Sequence, residues 1–153
     1  MITNDKIEEY LIGIELPFEL VEEGMWLIHD ELDFIENIVV LHTPPVITFR
    51  VKLMQVNDLS AQTRYELIKH LLYLNANEMV AGAYGLEDDA VVIIDSLQSE
   101  NLDYNEFQAS IDSITLSIRE HYHQIRTFIP AAEVAEEEVI SEQELEAQIM
   151  AES

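Results

Sequence analysis

The sequence predicts an α+β fold in the order helix–strands–helix–strands–helix, with the helices packed on a mostly antiparallel sheet. Apolar residues recur at helical spacing in three segments, residues 4–15, 60–75 and 103–128, as in helices with a buried face. Between these segments, apolar and polar residues alternate or β-branched residues form short runs, as in strands. Tight-turn residues such as Glu23-Gly24 separate neighbouring strands, and strands joined in this way pair antiparallel.

The N-terminal part is predicted to contain one short helix followed by strands. Thr3 or Asn4 is suited to be the N-cap of the helix and Pro17 ends it. The apolar face of the helix consists of Ile7, Tyr10, Leu11 and Ile14. The strands that follow are predicted at residues 18–22, 25–29 and 37–42.

The most regular strand pattern runs from Val46 to Met54. Its two faces comprise Ile47, Phe49, Val51 and Leu53 on one side, and Thr48, Arg50 and Lys52 on the other. One face is therefore expected in the core and the other in water. Arg50 and Lys52 are expected to pair with acidic residues across the sheet or, alternatively, to anchor an acidic segment such as the chain's own tail.

The middle helix, predicted over residues 60–75 with Ser60 as N-cap, is apolar around most of its circumference. The residues concerned are Leu67, Ile68, Leu71, Leu72 and Leu74, with Tyr65 and Tyr73. A helix of this kind is buried on more than one side. In a small domain we expect a subunit interface to bury the second apolar side of the helix. The residues predicted to form this interface are Leu67, Ile68, Leu71 and Leu74.

The last part of the folded domain is predicted as a hairpin and a long helix. The hairpin strands run from Met79 to Tyr84 and from Ala90 to Asp95, with Gly85 and the acidic turn Glu87-Asp88-Asp89 between them. The run 91–94 is apolar on both faces, which predicts a central or doubly covered strand. The helix extends from Asp103 to about Phe128.

The domain is predicted to span residues 1–129, with an acidic tail at 130–153. Pro130 stops the last helix, and the tail has eight glutamates and no basic residue. We expect the tail to be disordered or conditionally helical, because Ser141 and Glu144 have capping-box spacing in a segment too short to be stable alone.

The composition restricts the possible partners. Seven basic residues stand against 31 acidic ones, a net charge of −24, which disfavours binding to nucleic acid and to anionic membrane surfaces. The chain has no cysteine, which excludes disulfides, thiolate ligands and cysteine nucleophiles and suits a reducing compartment. Neither a secretory signal nor a membrane-spanning run is readable. We therefore expect a cytoplasmic protein.

No constellation of residues predicts catalysis, a metal or a cofactor. Residues 95–106 imitate an EF-hand loop, but Leu97 and Glu100 occupy positions that require an oxygen ligand and a glycine. The acidic loop at residues 30–36 is suited to a hard cation, although a solvated loop is the commoner explanation. The five histidines lie on separate elements or face different ways on a helix. Glycine-rich phosphate loops and nucleophile elbows are absent from the sequence.

Four stretches, taken with the element order, resemble the YbjN-like family, whose members are described as sensory transduction regulators and whose fold is similar to that of type III secretion chaperones (Tir chaperone-like). The stretches are residues 24–30 (GMWLIHD), 46–54 (VITFRVKLM), 75–86 (NANEMVAGAYGL) and 101–112 (NLDYNEFQASID). The resemblance covers about residues 4–128. It implies a dimer formed partly by the middle helix, binding of extended polypeptide along the sheet and first helix, and no catalytic residues.

These observations predict a non-enzymatic binding module, chaperone-like or regulatory, which holds a partner polypeptide on the sheet and first-helix surface of a homodimer. The candidate partner surface comprises Phe18, Met25, Trp26, Met54, Arg50 and Lys52, although the core is an alternative place for the apolar ones. One alternative function is a small metal-dependent enzyme that uses the acidic loop 30–36. A further alternative is a structural subunit whose middle helix serves only oligomerisation.

Overall fold

The computed structural model describes residues 2–30 and 35–128, and its elements follow the predicted order. They are α1 (Asn4–Gly13), β1 (Phe18–Glu22), β2 (Met25–Asp30), β3 (Ile35–Thr43), β4 (Val46–Gln55), α2 (Ala61–Asn77), β5 (Ala83–Glu87), β6 (Ala90–Gln98) and α3 (Tyr104–Arg126). The α+β prediction is confirmed. The predicted acidic tail at 130–153 and most of the acidic loop 30–36 lie outside the described residues.

The strands form one six-stranded sheet in the order β1-β2-β3-β4-β6-β5, and every neighbouring pair is antiparallel. The first four strands form a meander. After α2 the chain returns to the far side of the sheet, where β6 lies between β4 and β5. The two edges of the sheet are therefore β1 and β5.

Local side-chain hydrogen bonds explain where the helices begin. Thr3 accepts a hydrogen bond from the backbone N–H of Lys6 at 3.2 Å, and Ser60 accepts one from Thr63 at 3.1 Å. Both are N-caps that satisfy donors in the first turn. Asp103 caps α3 in the same way, with the N–H of Glu106 at 2.7 Å, so this aspartate has a structural role that accounts for its place in the EF-hand-like stretch.

All three helices cover the same face of the sheet. One row of the buried strand face runs through Trp26, Val40 and Phe49, which are opposite one another in the register. The helices contribute buried apolar residues to the same core, including Ile7, Leu11, Leu67, Leu71, Leu74, Phe107, Ile111, Ile114, Ile118 and Ile125. The opposite face of the sheet, which we call the open face, has no helix of the described chain on it.

Three features of the strands differ from the prediction. β5 starts at Ala83 instead of Met79, because α2 continues to Asn77 and the chain then turns at Gly82, whose φ is +79°. The hairpin turn is Asp88-Asp89, both with positive φ, so Gly85 lies inside the strand. In β4 the register shifts between Lys52 and Met54, and this bulge ends the predicted alternation at Leu53.

Candidate functional site

The outer edge of β1 is the most exposed apolar part of the sheet. β1 pairs with β2 on one side, and the described residues place no strand on its other side. Leu20 is 56% exposed and Val21 is 50% exposed. We call the outer backbone of β1 together with Leu20 and Val21 the β1 edge. An uncovered apolar edge strand is a template for pairing with another chain.

The hydrogen-bond pattern shows which backbone groups of β1 point outward. The N–H of His29 donates to the carbonyl of Pro17 at 2.8 Å, and directly opposite residues alternate between bonded and non-bonded pairs in antiparallel strands. The pair of Phe18 with Ile28 and that of Leu20 with Trp26 are therefore of the non-bonded kind. It follows that the N–H and C=O groups of Phe18 and Leu20 point away from β2.

Helix α1 is held on the sheet close to this edge by two polar contacts. The indole N–H of Trp26 donates to Glu8 Oε1 at 3.1 Å, and His42 Nδ1 lies 2.8 Å from Asn4 Oδ1. Burial lowers the pKa of His42, which is 7% exposed, because burial disfavours the charged imidazole. On the outer surface of α1, Ile12 is 66% exposed. Helix α1 thus adds one exposed apolar side chain to the two of the β1 edge.

A shallow groove of about 480 Å³ lies on the open face. We call it the open-face groove. It is lined by Leu27, Asn37, Val39, Arg50, Lys52, Leu53, Met54, Gln55, Glu87 and Val92. Arg50 Nη1 donates to Glu87 Oε2 at 2.5 Å, and this pair reaches over β6, which separates β4 from β5. The lining combines apolar side chains with two cations and one carboxylate.

The structure separates the predicted partner-surface residues into three environments. Arg50, Lys52 and Met54 line the open-face groove, and Met25 is half-buried on the open face, opposite Leu41. Phe18 is half-buried against the core. Trp26 is 1% exposed and lies in the core, because its pleat position faces the helices; its side chain is not accessible in this fold.

The predicted dimer residues of α2 mostly face inward. Leu67, Leu71 and Leu74 are buried in the core of the domain itself, whereas Ile68 is half-buried. The apolar residues on the outer side of α2 are Tyr65, Leu72 and Tyr73, which are 59%, 63% and 54% exposed. The helix is thus apolar on two sides, as the sequence indicates, but the outward side contains different residues from those predicted.

A polar cluster that the sequence did not indicate joins β5 to α3, with Tyr84 and His121 buried and Glu78 exposed. The Tyr84 hydroxyl lies 2.8 Å from His121 Nδ1, and His121 Nε2 is 3.2 Å from Glu78 Oε2. Burial, and to a lesser extent the charge of Glu78, raise the pKa of Tyr84 far above its usual value. Tyr84 is therefore a neutral hydroxyl at physiological pH, and the cluster acts as a structural link.

The described residues give no support to metal chemistry. Within residues 2–30 and 35–128, no group of three or more histidine or acidic residues is arranged to hold an ion. The loop that was the alternative cation site lies mostly outside these ranges. None of the helices in the described part of the chain is long and apolar enough to cross a membrane.

Leu20 and Val21 are not among the partner-surface residues predicted from the sequence. The feature of the sequence that could have indicated them is that they are adjacent. Consecutive residues of a strand point to opposite faces of the sheet, so two adjacent apolar residues cannot both face one core. The register then decides which of them is exposed. Both are exposed at this edge, because α1 does not extend over Leu20 and no element of the described residues covers Val21.

Comparison with solved structures shows the same fold in several proteins of low identity. YbjN from E. coli is 16% identical with a TM-score of 0.61, over 80% of this chain and 93% of that one. The HopA1–SchA chaperone–effector complex contains a match at 12% identity and a TM-score of 0.52, over 73% and 88%. The ExsC–ExsE complex contains another at 16% and 0.55, over 78% and 96%. No curated protein sequence matches the chain.

The family comparison covers the whole described domain. The CesT_Tir_1 family model matches residues 2–131, a range that includes all three helices and all six strands. The predicted resemblance to YbjN and to type III secretion chaperones is confirmed. The chain belongs to the CesT_Tir_1 family of type III chaperones.

Proposed function

We propose that this protein is a non-enzymatic, chaperone-like or regulatory binding module that holds an extended segment of another protein along the β1 edge, beside α1. The observation that carries the proposal is an edge strand with outward-pointing backbone groups and two exposed apolar side chains. Membership of a chaperone family and the chaperone–effector complexes among the similar structures support it.

The mechanism is strand addition. A partner strand pairs with the outward N–H and C=O groups of Phe18 and Leu20, and these main-chain bonds supply affinity whatever the partner's sequence. Leu20 and Val21 contact alternate side chains of the partner and supply selectivity. The net charge of −24 disfavours acidic partners and speeds encounter with basic ones.

Replacing Leu20 by proline tests this mechanism. Proline removes the N–H that points outward and leaves the bonds between β1 and β2 intact, because Leu20 is in a non-bonded pair with Trp26. The matched control is Leu20→Val, which keeps both the N–H and an apolar side chain. Affinity capture from native lysate with each form, analysed by mass spectrometry, is the measurement.

We expect the proteins captured by the wild-type chain to be retained by Leu20→Val and lost with Leu20→Pro. If the two variants capture the same set of proteins in equal amounts, the β1 edge is not the binding site. Capture with and without residues 130–153 shows in addition whether the tail contributes to partner choice.

We propose further that the chain forms a homodimer through the outer side of α2. Tyr65, Ile68 and Leu72 are spaced by three and four residues, so they form one stripe, with Tyr73 next to it. A stripe of this kind is suited to antiparallel packing against its symmetry mate.

Light scattering on Leu72→Glu tests the dimer. Leu72 is 63% exposed, so the charge disturbs an interface without disturbing the core. Leu116→Glu, at a 43% exposed position on α3, is the control. We expect a monomer from the first variant and a dimer from the second; dimers from both would contradict the α2 interface. If the monomeric variant still captures partner proteins, partner binding does not require the dimer. The chain would then not be a structural subunit that serves only oligomerisation.

A further inference from the structure

We propose that the open-face groove binds the chain's own acidic tail, residues 130–153. The proposal is independent of the strand-addition mechanism, because it concerns the opposite side of the sheet from α1 and not its edge. It follows from the distribution of charge in the molecule, the lining of the groove and the reach of the chain beyond α3.

The charge distribution singles out this groove. The chain has seven basic residues, and only Arg50 and Lys52 lie on the sheet; the others are on helices. The five on helices are Lys6, Arg64, Lys69, Arg119 and Arg126. The groove lining has one carboxylate, that of Glu87. In a chain with 31 acidic residues, the groove is thus a local concentration of positive charge.

The cations of the groove have more hydrogen-bond donors than the contact with Glu87 uses. Arg50 uses Nη1 for Glu87, while a guanidinium group has five N–H donors. The Arg50 side chain is 38% exposed, and Lys52 is exposed on the same face, two residues along β4. Further carboxylates can therefore approach both side chains without displacing Glu87.

The tail matches the groove in composition. Its eight glutamates are interspersed with the apolar residues Val134, Val139, Ile140, Leu145 and Ile149. The groove offers a complementary mixture, with the apolar side chains of Leu27, Val39 and Val92 beside the two cations. A segment of glutamates alone would use only the cations, whereas this tail can bury apolar surface as well.

The chain is long enough to reach the groove. The Phe128 ring lies 5.0 Å from the His70 ring of α2, and α2 lies next to β5, which contributes Glu87 to the groove. The 25 residues after Phe128 span up to about 80 Å when extended. Six strands extend over only about 24 Å. Because the tail is tethered, its effective concentration at the groove is in the millimolar range and weak contacts suffice.

Paramagnetic relaxation tests the proposal on the full chain. The protein has no cysteine, so Ala147→Cys provides a single site in the tail for a nitroxide label. Nuclear spin relaxation of the ¹⁵N-labelled backbone then reports which amides lie near the label. We expect selective broadening at Leu27, Val39 and Val92, and its loss at about 1 M salt, where the Debye length falls to about 3 Å.

Charge reversal provides the matched comparison. Lys52→Glu should reduce the bound population about two- to five-fold, as expected for one exposed ion pair, whereas Lys69→Glu, an equal change of net charge on α2, should leave it unchanged. Equal effects of the two variants would show that only net charge matters and would overturn the proposal. So would uniform broadening, or broadening confined to helix amides.

Mixing labelled and unlabelled chains identifies the source of the tail. Broadening of ¹⁵N-labelled, cysteine-free chains by nitroxide-labelled chains without ¹⁵N would mean that the tail binds a second copy, which contradicts the intramolecular contact proposed. Its absence, together with broadening within one chain, supports the proposal. These signals arise without any partner protein. Their outcome is therefore independent of the outcome of the capture experiment with Leu20→Pro.

Discussion

The two edges of the sheet expose their backbones in different ways. At β5 the outward groups of Tyr84 are already bonded: its N–H donates to Asn75 Oδ1 at 2.7 Å, and its C=O accepts from Asn75 Nδ2 at 3.0 Å. The side-chain amide of α2 thus replaces a neighbouring strand. At β1 the described residues supply no such substitute, and Leu20 and Val21 extend into solvent.

This difference indicates which edge is available to another chain. Open edges promote unwanted pairing, and proteins commonly cover or charge them. Here the chain closes β5 at Tyr84 with a single asparagine, whereas none of the described elements covers the outer side of β1. The glutamates at residues 19 and 22 of β1 limit unselective association. The asymmetry is the reason for placing the proposed partner strand at β1.

The largest expected effect comes from opening the closed edge. Asn75→Leu removes both hydrogen bonds to Tyr84, which is 6% exposed, and leaves a backbone donor and acceptor unsatisfied. We expect a loss of about 1–3 kcal/mol in the free energy of unfolding, measured by urea denaturation. Asn77→Leu is the control, because its amide bonds only within its own helix, to the carbonyl of Tyr73. Equal losses would mean that the Asn75 amide does not close the edge.

A smaller effect is expected where α1 is anchored beside the open edge. The pKa of His42 is lowered in the folded state by burial, so the unfolded chain binds a proton more readily than the folded one. The free energy of unfolding should therefore fall as pH drops through about 6.5, the unfolded pKa, and the loss is complete below the folded pKa. Above about pH 7 the effect is absent.

The measurement for His42 is the difference between two chains. Urea denaturation across this pH range should give a weaker pH dependence for His42→Gln than for the wild-type protein. His123→Gln, at an exposed position on α3, should keep the wild-type dependence. If the His42 variant retains it as well, the contact with Asn4 does not hold a neutral imidazole.

The smallest expected effect is on stability at the open edge itself. Leu20→Pro should change the free energy of unfolding by no more than about 0.5 kcal/mol, as for other surface substitutions, because the lost N–H has no partner in the described chain. A loss as large as that of Asn75→Leu would show that this N–H is bonded within the protein. The comparison between the two edges would then fail.

Much of the fold could be predicted from local sequence. The caps Thr3 and Ser60 and the alternation of Ile47, Phe49 and Val51 depend on neighbours within a few residues, and all are present in the structure. The position of β5 could not be predicted in this way. Residues 79–82 have strand-like composition, but α2 extends to Asn77 and Asn75 fixes Tyr84, so tertiary contacts determine where pairing begins.

The candidate site was less predictable than the fold. Trp26 resembles a binding residue in sequence, yet its position in the register directs it to the core, while Leu20, directly opposite, is exposed. On α2 the sequence shows that two sides are apolar but does not show which side faces the sheet. In both cases the deciding factor is the place of the element relative to the others, which is a property of the whole fold.

By itself, the sequence determined the fold class, the order of the elements, the helix starts and the acidic character of the chain. These depend on periodicity, capping and composition, which are local or additive properties. Only the tertiary structure decided that the β5 edge is closed at Tyr84, because Asn75 and Tyr84 meet through the packing of α2 on β5. It also decided that Arg50 and Lys52 line the open-face groove together with apolar side chains, since the groove requires side chains from several strands to share one face.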